Sequence, residues 1–73
     1  MEDVRQILAV NLRLARLGQA MSQEDLASVA GIDRTYVSGI ERGVRNPTIT
    51  VLARFADALK TTSAQLLTKG AFN

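Results

Sequence analysis

The chain has 73 residues but no cysteine and no histidine, and these absences exclude several kinds of site. Without cysteine there is no disulfide, and without both residue types a zinc site lacks its usual nitrogen and sulfur ligands. A serine nucleophile would also lack the imidazole base that commonly activates its hydroxyl. We therefore expect no enzyme, no metal and no other cofactor.

Long apolar runs are also missing from the sequence. No stretch approaches the roughly 18–20 apolar residues of a membrane span, and Glu2, Asp3 and Arg5 precede the first apolar segment. A domain this short buries only about 60% of its extended surface, so it needs tight helix packing, oligomerisation or both. We expect one complete soluble domain, residues 1–73, in the cytoplasm, with neither a membrane nor a small-molecule partner.

Charge is weak in sum but uneven in distribution. The net charge is only +2, whereas the sequence pI is 9.7. Arg34, Arg42 and Arg45 fall within one short segment, where the acidic residues are Asp33 and Glu41. This distribution favours a basic surface suited to nucleic acid. Judged from charge alone, an ordinary solvated face is an equal alternative.

Apolar spacing and helix-breaking residues divide the chain into five short helices. The first is predicted over residues 3–17 and ends at Gly18. The others are predicted at residues 23–30, 34–42 and 49–59, and from residue 62 or 63 onward, followed by a loose tail at residues 70–73. No strand pattern is present, so the predicted fold class is all-α. The side chains expected to cap the second, third and fourth helices are Ser22, Asp33 and Thr48.

The segment from Gln23 to Gly43 has the spacing of two helices that meet at a tight turn. With Gln23 as the first position, small Ala27 is the fifth, Gly31 the ninth and branched Val37 the fifteenth. A close helix crossing needs a small residue, and the turn needs a residue that tolerates positive φ. The pattern predicts a helix-turn-helix that presents its second helix, here termed the reader helix, outward.

Several stretches resemble the phage-repressor and Cro-type helix-turn-helix family of bacterial and phage regulators. The reader segment, DRTYVSGIER at residues 33–42, is most similar to the controller proteins of restriction-modification systems. One departure is Ala20, where the family often has glycine, and we expect Gly18 to take over that turn. The other matching stretches are Leu12-Arg13 with Arg16, MSQEDLA at 21–27, AGI at 30–32, NPTI at 46–49 and ADAL at 56–59.

This resemblance implies a five-helix domain of the lambda-repressor-like type that binds a palindrome-like operator in double-stranded DNA as a homodimer. A controller protein of this kind regulates transcription from its own promoter and from that of the endonuclease. Three alternatives stay open at this point: a phage-type repressor, another autoregulator of the family, and an antitoxin-like protein-interaction module. RNA polymerase is a further candidate partner, and the sequence does not decide between repression and activation.

The reader helix supplies the residues that we expect at base edges, because the N-terminal part of a helix in the major groove reaches the bases. Gly39 is expected to leave room for close approach of the DNA backbone. For Arg45, a narrowed minor groove is an alternative site. The expected base or groove contacts are Arg34, Thr35, Tyr36 and Ser38. The expected contacts to the DNA backbone are Arg42, Arg45 and Asn46, and the resemblance implies a further one at Gln23.

Two further sets of residues are predicted to hold the protein together. The resemblance implies a partly buried ion pair between Arg16 and Glu41, joining the first helix to the end of the reader helix. The last two helices carry more apolar residues than one core-facing side needs, which predicts a dimer surface there. The alternative is that these residues all close the monomer core. The predicted dimer contacts are Ile49, Leu52, Leu66 and Leu67.

Overall fold

The computed structural model describes residues 3–73, so Met1 and Glu2 of the predicted domain lie outside the described residues. The described chain is all-α, as the sequence predicts, and no helix in it is long and apolar enough to cross a membrane. Helix ends differ from the predicted ones by single residues. The helices are α1 (Val4–Gly18), α2 (Gln23–Ala30), α3 (Arg34–Glu41), α4 (Ile49–Ala58) and α5 (Ser63–Leu66).

Side-chain caps define where the helices begin. The backbone N–H of Asp25 donates to Ser22 Oγ, and the N–H of Ser22 donates to Asp25 Oδ2, both at 2.9 Å. This capping box satisfies N–H groups that a helix start leaves unpaired. The hydrogen bond from the Ser22 N–H, with a smaller contribution from the Ser22 side chain, lowers the pKa of Asp25 below its usual value. Asp33 and Thr48 cap α3 and α4 in a similar way.

One hydrophobic core joins all five helices. Each helix is too short to be stable alone in water, so its stability comes from the apolar side that it buries against the others. Full burial of one large apolar side chain contributes about 1.5–3 kcal/mol. Every helix supplies at least one side chain with no exposed surface, namely Leu12, Leu26, Val37, Phe55 and Leu66.

The tight turn between α2 and α3 is built around Gly31. Its φ and ψ are 70° and 34°, a left-handed conformation that glycine adopts at little steric cost. Ala27 and Val37 lie buried on either side of the turn, whereas Arg34 and Thr35 at the start of α3 are exposed. The helix-turn-helix read from the spacing is therefore present, with α3 as the reader helix.

The turn after α1 differs from the prediction. Gly18 is the last residue of α1, and Ala20 takes the left-handed conformation itself, with φ of 57°. The N–H of Met21 then bonds to the carbonyl of Arg16 at 3.1 Å, which closes the helix end. Lys60 has the same φ after α4. Because Cβ crowds the following carbonyl, this conformation costs a non-glycine residue about 1–2 kcal/mol.

Asn11 is a buried polar residue that apolar spacing gave no reason to single out. Its side-chain Nδ2 donates to the carbonyls of Leu66 at 2.9 Å and Thr68 at 2.8 Å, and lies 3.4 Å from that of Gln65. These carbonyls belong to the last turn of α5 and the residues after it, where a helix leaves acceptors unpaired. Asn11 therefore ties α1 to the C-terminal end of the chain.

The C-terminal residues are packed, whereas the sequence predicted a loose tail. Phe72 is partly buried against the core, and the N–H of Ala71 bonds to the carbonyl of Thr68 at 3.2 Å. The Phe72 ring reaches a hollow that Leu14 and Leu59 also line. The aromatic ring gives this segment enough apolar surface to hold it against the domain.

Replacing Ala20 with glycine should stabilise the domain by about 1 kcal/mol. Glycine removes the steric penalty of the left-handed backbone, and only part of that gain is offset by the greater freedom of the unfolded chain. The matched control is Gly31→Ala, which introduces the same strain and should destabilise. Urea denaturation followed by circular dichroism measures both changes. An unchanged midpoint for Ala20→Gly would contradict the assigned conformation.

Replacing Asn11 with alanine should lower the free energy of unfolding by about 2–4 kcal/mol, because the carbonyls lose their donor and a cavity remains. Asn11→Asp should cost more at neutral pH, since a carboxylate would face carbonyl oxygens where water is excluded. Arg13→Ala, on the exposed side of α1, should change the free energy of unfolding by less than about 0.5 kcal/mol. Thermal denaturation compares the three variants, and an Asn11→Asp protein as stable as the wild type would exclude the donor role.

Candidate nucleic-acid interface

The accessible side of α3 carries the polar residues that were predicted to contact bases. Arg34 and Thr35 are exposed, and Tyr36 and Ser38 are half-buried. Val37 and Ile40 on the opposite side anchor the helix in the core. A helix whose apolar side packs in the core leaves its polar side accessible to a partner.

Thr35 is held by the cap of its own helix. Its backbone N–H and its hydroxyl both donate to Asp33 Oδ1, at 2.8 and 2.6 Å. These two hydrogen bonds, with a smaller effect of the Arg45 charge, lower the pKa of Asp33 below its usual value. The hydroxyl proton of Thr35 is therefore engaged, which leaves its oxygen as an acceptor and its methyl group as an apolar contact.

The loop after α3 folds back over the reader helix. The Arg45 guanidinium carbon lies 5.4 Å from the centroid of the Tyr36 ring, a cation–π distance. The Tyr36 hydroxyl donates to the carbonyl of Asn46 at 3.1 Å. The Arg45 stem passes so close to Gly39 that a Cβ there would lie 2.7 Å from Cδ. In the free protein the Arg45 side chain therefore fills the space beside Gly39 that was expected to admit the DNA backbone.

A buried polar cluster fixes the position of the C-terminal end of α3. Arg16 Nε and Nη2 donate to Glu41 Oε2 and Oε1 at 2.7 and 2.9 Å, and the two side chains are only 10% and 5% exposed. Arg16 Nη1 donates to the carbonyl of Met21 at 2.9 Å, and Gln23 Nε2 donates to Glu41 Oε1 at 3.2 Å. The bonds to Glu41 raise the pKa of Arg16. The cluster thus links α1, the start of α2 and the end of α3.

The residues predicted to contact the DNA backbone fall in two places. Arg42, Arg45 and Asn46 are exposed at the end of α3 and in the loop that follows. Gln23 is half-buried at the start of α2, with its amide nitrogen engaged by Glu41. The contact between Gln23 and Glu41 brings the start of α2 beside the end of the reader helix.

A separate accessible surface is apolar. Ile49, at the start of α4, is 86% exposed, and Leu67, after α5, is 40% exposed. They flank a groove that Asn46 also lines, so this surface adjoins the loop after α3. The surface is termed the apolar patch, and it comprises Val4, Leu8, Pro47, Ile49, Leu52 and Leu67.

Two of the four residues predicted as dimer contacts are buried in the core of the single chain. Leu66 has no exposed surface, so it cannot meet a second chain, and its prediction as a dimer contact is wrong. Leu52 is only 7% exposed and contributes to the core, apart from a small area in the groove. Val4 and Pro47 lie beside Ile49 and Leu67 in the apolar patch. The sequence did not show this, because periodicity within one helix does not reveal which other segments share its surface.

Residues 12–66 match the family model described as helix-turn-helix. The chain belongs to the helix-turn-helix family. It is 43% identical over 67 residues to control protein C.SmaI of Serratia marcescens, an alignment that covers 92% of this chain and 80% of that protein. Within residues 3–73, no group of acidic side chains is placed to hold a metal ion.

Solved structures of similar proteins share the fold. A hypothetical transcription factor from Neisseria has a TM-score of 0.90 and 43% identity, covering 93% of this chain and 78% of that one. The restriction-modification controller protein C.Esp1396I, solved as a tetramer in complex with its natural 35 base-pair operator, has a TM-score of 0.80 and 35% identity. That match covers 90% of this chain and 87% of the controller.

Replacing Glu41 with alanine should lower the free energy of unfolding by about 3–5 kcal/mol, because Arg16 would keep a buried charge without a partner. The double variant Arg16→Met with Glu41→Leu should recover most of this loss, since no charge is left unpaired. Glu24→Gln, on the exposed start of α2, is the control and should change little. Chemical denaturation measures all three, and wild-type stability of Glu41→Ala would exclude the structural role.

Proposed function

We propose that this chain is a homodimeric transcriptional regulator that binds a palindrome-like operator in duplex DNA, in the manner of restriction-modification controller proteins. The observation that carries the proposal is the outward α3, whose exposed N-terminal residues Arg34 and Thr35 are followed along the chain by a basic loop. The family consists of regulators and not enzymes. C.Esp1396I, a relative of similar fold, is solved on its own operator.

The first turn of α3 is proposed to read bases in the major groove, which admits one helix. Arg34 there would donate two hydrogen bonds to guanine O6 and N7, a pairing that contributes ~1–3 kcal/mol of discrimination. Thr35 would bring its methyl group to a thymine methyl, because its hydroxyl proton is already donated to Asp33. Tyr36 and Ser38 would contact neighbouring base, sugar or phosphate edges.

The residues around the far end of α3 are proposed to contact phosphates. Arg42 and Asn46 are exposed there, and Gln23 keeps a second amide N–H besides the one donated to Glu41. Such contacts fix the register of the protein on the duplex without reading its sequence, and they make affinity fall with salt. The Arg16–Glu41 pair lies directly beside this region. The positions of the residues proposed to contact phosphates therefore depend on that pair.

A second copy of the chain is proposed to cover the apolar patch. Ile49 and Leu67 expose apolar area next to the loop that carries Asn46. Two chains related by a two-fold axis through this patch would present their reader helices to half-sites roughly 34 Å apart. The protein would then act in the cytoplasm, where bacterial promoters lie. The position of the operator relative to RNA polymerase would decide between repression and activation.

Selection from a randomised duplex library at ~150 mM salt tests the function directly. The expected result is one enriched motif with two similar half-sites about 10 base pairs apart. If the protein retains DNA without enriching a motif, it binds only the DNA backbone, and specific regulation is contradicted. Loss of retention even at ~50 mM salt, where phosphate contacts are strongest, would contradict DNA binding and favour a protein-interaction role.

Replacing Ile49 with glutamate should give a folded monomer that binds the selected operator at least about 100-fold more weakly, because each monomer reaches one half-site. Folding should be preserved, since a carboxylate at the first position of α4 suits the helix dipole. Val10→Glu is the matched control, an apolar-to-acidic change on the exposed part of α1, outside the apolar patch. Sedimentation and operator titration separate the two, and a dimeric Ile49→Glu protein would place the interface elsewhere.

A further inference from the structure

A second apolar surface runs along the outer side of α1. Its residues recur at alternating intervals of three and four, which is the heptad spacing of a helix that pairs with another helix. Val10 and Leu17 are 50% and 52% exposed. The core does not account for them, because the buried side of α1 is formed by other residues, such as Leu12 and Ala15. The surface is termed the outer seam, and it comprises Ile7, Val10, Leu14 and Leu17.

Two hollows border the outer seam on the side where the C-terminal segment packs. One lies beside Ile7 and Val10, and Lys69 also lines it. The other lies beside Leu14, and Lys60 also lines it. In a pair of helices, each apolar side chain of one helix inserts into a hollow between residues of the other. The outer seam and its hollows therefore have the features of a surface that receives a helix.

The charged groups around the outer seam are mainly basic. Two lysines line the hollows, and Arg13 is exposed on the opposite flank, where it forms no ion pair with any residue in the range 3–73. The helix itself, Val4–Gly18, contains no aspartate or glutamate. Asp3 lies near Ile7 at the N-terminal end of the seam, and Arg5 lies 3.6 Å from its carboxylate. A ligand of this surface therefore meets positive charge on both flanks.

This charge pattern decides between two occupants of the outer seam. A second copy of the chain would present another α1 with the same arginines and no carboxylate, so the charges beside the two seams would repel. Charges that flank an apolar seam set the choice of partner helix in this way. A helix with carboxylates beside its apolar residues would instead place them near Arg13, Lys60 and Lys69. The pattern thus favours a different protein over a second copy.

We propose that the outer seam of α1 is a docking surface for an acidic amphipathic helix of another protein, which crosses α1 at about 20° and fills the two hollows. Docking there does not compete with the reader helix, because Arg16, which bonds to α3, is buried on a different side of α1. No seam residue lines the groove of the apolar patch. The surface is therefore additional to those proposed for DNA and for a second copy.

A designed helical peptide of about 21 residues is the probe, with leucine at the a and d positions of its heptads and glutamate at e and g. The matched peptide carries lysine in place of glutamate. Fluorescence anisotropy should show that the acidic peptide binds at least about tenfold more tightly, by a margin that shrinks as salt rises. Absence of binding, or equal affinity for the two peptides, would overturn the proposal.

Variants of the protein locate the site of binding. Val10→Glu should weaken binding of the acidic peptide at least about tenfold, because it places a carboxylate in the outer seam. Val29→Glu is the matched control, since Val29 is 61% exposed on α2, outside the seam, and this variant should bind as the wild type does. Binding that survives Val10→Glu would overturn the proposal.

Charge reversal at Arg13 keeps the proposal testable even if Val10→Glu fails to fold. Arg13→Glu alters an exposed side chain and should lower the preference for the acidic over the basic peptide at least about threefold. Circular dichroism and thermal denaturation show whether each variant is folded. An unchanged preference in folded Arg13→Glu would contradict the assigned charge pattern.

Ile49→Glu separates the outer seam from the apolar patch, to which Ile49 belongs. This variant should bind the acidic peptide as the wild type does, and loss of binding would move the docking site to the patch. Sedimentation of Ile49→Glu should show a monomer. Self-association that is abolished by adding Val10→Glu would mean that a second copy covers the seam, which would overturn the proposal. These measurements use no DNA, so failure of the proposed function would not change their outcome.

Discussion

The orientation of the reader helix depends on the buried ion pair between Arg16 and Glu41. Two parallel hydrogen bonds hold the guanidinium to the carboxylate, so the pair fixes a direction between α1 and α3 as well as a distance. Removing two charges from water costs several kcal/mol per ion unless their remaining polar atoms are paired. The carbonyl of Met21 and the amide of Gln23 supply such partners. The groups that satisfy the pair thereby anchor the entry to α2, which would face the DNA.

The first helix helps to orient the other helices, because polar side chains on it and at its end form hydrogen bonds with carbonyls at their termini. Asn11 donates to carbonyls at the end of α5, and the side chain of Gln19, the residue that caps α1, donates to the carbonyl of Leu59, which caps α4. Each bond serves an acceptor that a helix terminus leaves unpaired. In a domain without disulfides, these directional bonds from α1 supplement a small core. They orient four- and ten-residue helices that apolar packing alone would leave less strictly aligned.

Local chemistry explains which features could be predicted from the sequence. Ser22, Asp33 and Gly31 act on residues within a few positions, so their roles in capping and turning follow from the sequence alone. The apolar spacing likewise identified the core side of α3. Contacts between residues far apart in the sequence had no such signal, because no spacing indicates that Asn11 contacts α5 or that Leu66 lies beneath the surface. The exposed residues of α3 could be named as candidate base contacts, but not the arrangement of Arg45 over them.

Base reading and dimerisation, as proposed, share one short loop. Asn46 accepts a hydrogen bond from Tyr36 on the reader helix, and it also lines the groove beside Ile49 in the apolar patch. Pro47 restricts the residue before it to extended backbone, so the loop has little freedom to move one surface without the other. A second chain packed on the patch would therefore limit the positions that Arg45 can take. Ordering of the loop before DNA arrives lowers the entropy lost on binding, and so the dimer would bind its operator more tightly than two linked but unpacked domains.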